Sequence, residues 1–484
     1  MNIRLSQLLR EDAQLPKFGD VQISGITSDS REVQPGFVFV ALHGTMADGA
    51  SFIPQAITNG AVAIVCQAGS FSGEAAIQSE NPGRLLSLMA ARFYDRQPDT
   101  IVAVTGTNGK TSVTVFVRQI WEAMGFRAAS LGTIGVVGPN GSEYLSHTTP
   151  DPVKLQALAA SLRDDHVQHL AIEASSHGLA QFRLDGLRLT AGAFTNLTRD
   201  HLDYHATLDD YFNAKMRLFE DLLPTSAAAV INADMPEAEE TLKRVKARGL
   251  RVYTVGKKGA DLCLLETQRF GLGQSLKIKS ATATYDISLP LVGEFQASNA
   301  LVAAGLVIAS GGEETLALHA LESLKGARGR LELSGVSDLG ASVFVDYAHT
   351  PDALETAITA LRPYADKKLV VVFGCGGDRD KGKRPLMGEI AGRLADVVYV
   401  TDDNPRTENA AQIRREILSA VPKATEIGDR AKAILAAVKN LGAGDILLVA
   451  GKGHEEGQIM GKTVIPFSDH NAVAAALRGE IYHG

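Results

Sequence analysis

The residues best suited to chemistry lie in IVAVTGTNGKTS, 101–112. A β-rich apolar run feeds a glycine turn, then Lys110 and Thr111, then a helical pattern. Gly106 and Gly109 permit a tight turn, so that N–H groups of the run Gly106, Thr107, Asn108, Gly109, Lys110, Thr111 and Ser112 can point at the phosphates of ATP. Lys110 supplies a point charge to the β- and γ-phosphates, and Thr111 a hydroxyl to Mg2+. The first glycine of the general phosphate-loop pattern would fall at Val104, so that match is incomplete. A plain glycine turn with a solvated lysine is the alternative. The strand before and the helix after favour nucleotide binding.

A second group could complete such a site. Glu173 ends an apolar strand in HLAIEASSHG, where a carboxylate is well placed for Mg2+. NLTRDHLDYH holds His201, Asp203 and His205, which on spacing alone read as a polar loop with surface histidines. Thr207, with Asp210 three residues on, marks a helix start. Leu208, Tyr211, Phe212, Lys215, Leu218, Phe219 and Leu222 then share one face at helical spacing. A lysine inside an apolar stripe either runs its stem along the stripe to water or is buried for a purpose; the residues alone leave both open.

The elements that must position these groups follow from apolar patterning. FVFVAL (37–42) and AVAIVC (61–66) read as strands in a turn-rich N-terminal part, and YDRQPDT (94–100) as a linker. HLAIEA (169–174), LTAGAFTNL (189–197) and AAAVIN (227–232) alternate with helical stretches, which argues for a parallel sheet. A second boundary is expected near KGARGRLE (325–332). KLVVVFG (368–374), DVVYVTD (396–402) and DILLVAG (445–451) then predict three more buried strands, each followed by a polar loop. Ligands of such sheets sit beyond the strands' carboxyl ends, which directs attention to GCGGDRDKGKR, DDNPRTE and GKGHEEG.

With 484 residues the chain is long enough for two to four domains. A net charge of −7 gives no footprint for nucleic acid. Three cysteines make no disulfide framework and suggest a reducing compartment. The N-terminus has no signal-peptide pattern and no apolar run is long enough to span a bilayer, so a cytoplasmic protein is expected.

GTNGKT, followed by these segments in order, resembles the Mur ligase family, and the resemblance runs essentially end to end. Cyanophycin synthetases share GTNGKT and folylpolyglutamate synthetases a variant, so the loop alone implies only joining of an amine to a carboxylate through an acyl phosphate. The family implies an α/β fold with three domains. These are a mixed α/β UDP-substrate domain (1–98), a central ATPase domain of P-loop type with a mainly parallel sheet (99–330), and a Rossmann-like amino-acid-binding domain (331–484).

It also implies roles. Family members carry a lysine at the position of Lys215 that reacts with CO2, and the carbamate joins Thr111, Glu173 and His201 around Mg2+. Catalysis would then fall to Lys110, Lys215, Glu173 and His201. Ser28, Ser30, Thr45 and Ala47, in SDSREV and HGTMADG, would lie beside the UDP-sugar. Thr148, Thr149, Ser175, Gln181 and Arg183 would hold the muramoyl-dipeptide. Asn299, Arg330, Asp346 and His349 match positions that meet adenine, ribose and phosphates. Gln296 departs from the asparagine usual in the family.

The last loops bear on the amino acid joined. In the family, D-N-P-R marks members that add meso-2,6-diaminopimelate, and here it is Asp403-Asn404-Pro405-Arg406. A guanidinium fork suits the distal carboxylate that lysine lacks. Arg379, Gly451 and Glu455 complete the implied pocket, Glu455 facing the distal ammonium. Without the family, Arg406 reads equally as a solvated turn arginine. The resemblance thus implies UDP-N-acetylmuramoyl-L-alanyl-D-glutamate and meso-2,6-diaminopimelate as substrates and a monomeric enzyme of peptidoglycan precursor synthesis. The competing readings are another ligase of the superfamily and a nucleotide-binding switch protein.

Overall fold

The structure, a computed structural model, describes residues 3–44, 48–145, 147–198 and 204–484. The chain forms two compact units. One comprises Met1–Leu265, Ile278–Tyr285 and Ser298–Leu321; the other comprises Glu266–Lys277, Asp286–Ala297 and Glu322–Gly484.

The first unit opens with a parallel sheet in the order Gly25–Thr27, Phe37–Val40, Ala63–Gln67, Ala76–Ser79. Leu85, Leu86 and Met89 of the helix Pro82–Tyr94 pack on Val38, Val40 and Val65. That helix starts where Asn81 accepts from the Arg84 N–H with proline next in line, and stops at Asp95 with φ 46°. The polar segment expected as a linker is strapped down. Gln97 is buried, donates to Gln156 Oε1 at 2.9 Å and to the Gly186 carbonyl at 3.0 Å, and accepts from the Arg188 N–H at 3.0 Å.

A larger sheet follows. Its parallel part runs in the order Ala128–Gly132, His169–Glu173, Thr100–Thr105, Leu189–Phe194, Ala228–Asn232, Arg251–Gly256. Two short antiparallel strands, Gly135–Gly138 and Gly141–Glu143, extend the edge beside Ala128–Gly132. Strands buried on both faces read as unbroken apolar runs, which is why these segments are visible in the sequence. Thr100–Thr105 lies between His169–Glu173 and Leu189–Phe194, where successive crossovers change direction. The loops after these three strands therefore converge at the place where open α/β sheets bind ligands.

The second unit holds a sheet in the order Glu332–Val336, Ser342–Asp346, Ile446–Ala450, Leu369–Phe373, Val397–Val400, Thr425–Glu426, parallel except for the first pair. Leu354, Ile358, Met387 and Ile417 cover one face, and Ile434, Val438 and Val473 the other. A hairpin of Gly457–Met460 and Thr463–Pro466 stands beside its loops. Among the described residues no helix is long and apolar enough to cross a membrane.

Candidate active site

The phosphate loop is built as its glycines require. Gly106 has φ 142°, and a Cβ there would lie 1.9 Å from Thr195 Oγ1. Gly109 has φ 86°, and its Cβ would lie 2.4 Å from Asn299 Oδ1. Asn299, expected at the nucleotide, thus sits against the loop itself. The segment after Leu189–Phe194 clamps the other side. The Asn108 N–H donates to Asn196 Oδ1 at 2.9 Å, Thr195 Oγ1 donates to the Asn108 carbonyl at 2.6 Å, and the Thr198 N–H donates to Thr107 Oγ1 at 2.9 Å. Helix Lys110–Ala123 leaves the loop with Thr111 and Ser112 in its first turn. A helix N-terminus of this kind favours an anion.

Lys110 is half-buried and folds back, donating to the carbonyls of Gly106 at 2.8 Å and Thr107 at 2.7 Å. Lys215 reaches the same Gly106 carbonyl, also at 2.8 Å, with its ammonium 4.1 Å from the Tyr211 ring centre. It is 1% exposed. Of the two readings left open by the residues, burial is the one adopted. Two ammonium groups thus share one carbonyl at the phosphate loop.

The helix that carries Lys215, Leu208–Arg217, begins with the expected capping box of Thr207 and Asp210. The apolar stripe differs from expectation at its first residue and in the winding of its last turn. Leu208 is exposed, and Leu218–Leu222 winds as a π-helical turn. The wider turn still leaves Leu218 and Phe219 buried and Leu222 packed against the core, as the stripe expects. His205, read from spacing as a surface histidine, is buried and packs on Tyr211 and His177.

Glu173 ends its strand in register with Val104, beside the strand that feeds the phosphate loop. It is 1% exposed, and its two oxygens accept from the Thr133 N–H at 2.8 Å and the Thr133 hydroxyl at 3.1 Å. A Cβ at Gly132 would come 2.1 Å from Glu173 Oε1, so only glycine admits the carboxylate there. Gly132 and Thr133 escape a sequence reading; their sole signal is a glycine at a strand's carboxyl end. The Thr111 hydroxyl and the Glu173 carboxylate are hard oxygen donors of the kind that suits Mg2+. His201 and Asp203, and likewise Thr45 and Ala47, lie outside the described residues.

The positions expected to hold the muramoyl-dipeptide adjoin Glu173. The Thr148 hydroxyl is 3.0 Å from that of Thr133. Thr149 Oγ1 donates to the Glu173 carbonyl at 2.8 Å and lies 3.0 Å from the Ser175 hydroxyl, which caps the short helix Ser176–Ala180. Arg183 donates to the Thr149 carbonyl and to Gln181 Oε1, both at 2.6 Å, and Gln181 donates to Tyr204 at 3.2 Å. Thr148, Thr149, Ser175, Gln181 and Arg183 are thus one connected cluster. Ser28 and Ser30 follow the strand Gly25–Thr27, and Ser30 is tied to Gln55 at 2.8 Å.

In the second unit, Asp346 accepts from the Leu331 N–H at 2.6 Å and the Ala348 N–H at 2.8 Å. Burial pushes its carboxyl up to about 6, against the pull of Arg330 and these two N–H groups. The Arg330 guanidinium lies over Tyr347, 4.7 Å from the ring centre. Gln296 donates to the Arg330 carbonyl at 3.3 Å, so it fixes the backbone of the arginine. His349 Nδ1 donates to the Tyr347 carbonyl at 2.8 Å. His454, beside Tyr347, is held neutral by burial and by Arg330, its value pushed down to about 4.

The loops after Leu369–Phe373, Val397–Val400 and Ile446–Ala450 lie together. Arg406 has φ 51° and donates to the Gly377 carbonyl at 2.8 Å. Its backbone is gripped by the hairpin, through its N–H to the Ile459 carbonyl at 3.0 Å and its own carbonyl from the Gly461 N–H at 2.7 Å. Asn404 Nδ2 donates to Glu455 Oε2 at 2.9 Å. Gly451, with φ 117°, passes so close to Asp403 that a Cβ would lie 2.7 Å from its Oδ2. Pro405 is buried. Arg379 is exposed with its guanidinium on the Asp378 carbonyl at 3.0 Å; among the described residues no hydrogen bond draws it into the Asn404–Glu455 cluster. Burial pushes the Cys375 thiol up to about 12, so it stays an inert filler.

A phosphate loop at the switch point of a parallel sheet, with a buried carboxylate and lysine beside it, defines a nucleotide-using α/β enzyme. Family models match in three places: the Mur ligase family catalytic domain at 22–93, the Mur ligase middle domain at 104–307, and the Mur ligase glutamate ligase domain at 329–453. The chain is 54% identical to the UDP-N-acetylmuramoyl-L-alanyl-D-glutamate–2,6-diaminopimelate ligase of Brucella melitensis, with 96% of each chain covered. It is 55% identical to the protein of that name from Chelativorans sp., covering 95% of this chain and 96% of the relative. A solved structure of a ligase of that name matches with TM-score 0.73 and 32% identity over 99% of both chains. The chain belongs to the Mur ligase family, and its three-domain α/β architecture is that family's.

Proposed function

We propose that this chain is an ATP-dependent ligase that adds meso-2,6-diaminopimelate to UDP-N-acetylmuramoyl-L-alanyl-D-glutamate in peptidoglycan precursor synthesis. The observation that carries the reading is the loop Asp403–Arg406, held at the carboxyl end of a parallel sheet with Asn404 bonded to Glu455. It is supported by near-full-length identity to relatives bearing that name. The domains are 1–98 for the UDP-substrate, 99–330 for ATP and 331–484 for the amino acid. The enzyme works in the cytoplasm as a monomer.

The phosphate loop orients ATP through its N–H groups and Lys110. The γ-carboxylate of the D-glutamyl residue attacks the γ-phosphate, giving an acyl phosphate and ADP. The amine of diaminopimelate then attacks the acyl carbon and phosphate leaves. Thr111, Glu173, His201 and Lys215 as its carbamate would hold Mg2+, which would supply charge neutralisation at the phosphates. Arg183, already partnered by Gln181, offers its remaining donors to a substrate carboxylate. Lys110 stabilises the charge that develops on the transferring group.

Arg406 tests the assignment. Its guanidinium has one arm on Gly377, leaving the rest of the fork for a carboxylate. Arg406→Ala is expected to lose on the order of ten- to several-hundredfold in kcat/KM for diaminopimelate, as a charge-assisted pair is broken and an ion left unpaired. Arg406→Lys also loses activity, because a point charge does not reproduce the fork. Lysine is a poor substrate for the parent and does not suffer the same fall. Side-by-side kinetics with both amino acids decide the matter; equal losses for the two would mean that Arg406 holds the loop rather than reads the substrate.

A further inference from the structure

Lys452 has no part in the chemistry above, yet its side chain is fully buried. It stands between Gly451 with φ 117° and Gly453 with φ 53°, and a Cβ at Gly453 would lie 2.7 Å from Tyr347 Cβ. This double glycine turn directs the lysine inward. Its ammonium donates to Asn404 Oδ1 and to Glu455 Oε2, both at 3.0 Å. Asn404 Oδ1 accepts a second bond from the Ile459 N–H at 2.9 Å, while Asn404 Nδ2 donates to Glu455 Oε2. Two donors on one end and a carboxylate on the other fix the amide's orientation. The same arrangement commits Glu455 Oε2 to Lys452 and Asn404, so Oε1 and the second N–H of Asn404 are left to meet a ligand.

Stability does not account for this lysine. Its pairing with one partly exposed carboxylate is a poor return for burying an ammonium, and a buried ion is often replaced by an apolar group of similar volume without loss. What the ammonium supplies is placement: one acceptor and one donor at set positions, the pattern that an ammonium and a carboxylate on one carbon require.

We propose that Lys452 is a positioning residue of the amino-acid subsite, orienting Asn404 and Glu455 for the distal amino-acid centre of the incoming substrate. The inference rests on the diaminopimelate reading above. The test is steady-state kinetics of the full chain with Lys452→Met and Lys452→Gln. Met fills the space without a donor; Gln keeps a donor without charge. KM for diaminopimelate is expected to rise on the order of tenfold with Met and less with Gln, while KM for ATP and for the UDP-dipeptide stays within about twofold. Preference for diaminopimelate over lysine should narrow in both variants. Unchanged KM for diaminopimelate, or equal losses for all three substrates in step with a lower unfolding temperature, would overturn the proposal. Should the Met variant not fold, the Gln variant carries the same comparison. A parent enzyme that ignores diaminopimelate would overturn the functional reading as well; a responsive parent whose variants keep its KM for diaminopimelate overturns only the role of Lys452.

Discussion

Lys215→Ala is expected to lower kcat by on the order of 10²–10³-fold, comparable to deleting a preorganised group that faces developing charge. The lysine is buried and shares the Gly106 carbonyl with Lys110; under the proposed reading its carbamate offers an anionic oxygen to Mg2+, where an ammonium would repel the cation. Alanine also leaves a cavity, which for a long buried side chain costs about 2–5 kcal/mol. Lys215→Met separates the two effects, since it fills the space and lacks the anion. Its turnover should fall as far as that of alanine while its unfolding temperature stays nearer the parent's. A small carboxylic acid in solution should partly restore the alanine variant. Mass analysis showing an unmodified amine in active, metal-loaded enzyme would sink the carbamate.

Lys110→Ala should reduce turnover by about 10³-fold or more, because phosphoryl transfer depends on positioning and charge neutralisation rather than covalent help from the protein. The side chain is half-buried and holds two carbonyls, so it is more engaged than a solvated loop lysine. Both carbonyls can take up water when it is removed, and the stability cost should be about 1 kcal/mol. Far-UV circular dichroism and thermal unfolding check the fold, and phosphate release checks the chemistry. A folded variant with full activity would remove Lys110 from the phosphate site.

What the sequence made legible is what local chemistry encodes. The strand–loop–helix around GTNGKT and the cap at Thr207 depend on neighbours within a few residues, and both stand as expected. Buried parallel strands announce themselves as apolar runs, so the expected strands fall within a residue or three of their observed bounds. What depends on sheet order was hidden. Thr195, Asn196 and Thr198 clamp the phosphate loop from about ninety residues away, and only the adjacency of Thr100–Thr105 and Leu189–Phe194 brings them there. Gly132 matters because the Glu173 carboxylate fills the place of its missing Cβ, a contact between strands. Lys452 stands between two glycines without a local signal of burial, which follows from how three loops of the second unit meet. The π-helical turn after Arg217 was invisible to a search at period 3.6.

The central claim is that one chain couples ATP cleavage to joining the UDP-muramoyl-dipeptide and diaminopimelate. Its most direct test is phosphate release by the parent protein with ATP and Mg2+, measured with neither substrate, with each alone and with both. The account predicts sustained release only when both are present, in equal amount to the amide product, and far less when lysine replaces diaminopimelate. Steady hydrolysis that ignores the acceptors would contradict it and favour a nucleotide switch, and release driven by a different acid and amine would point to another ligase of the superfamily.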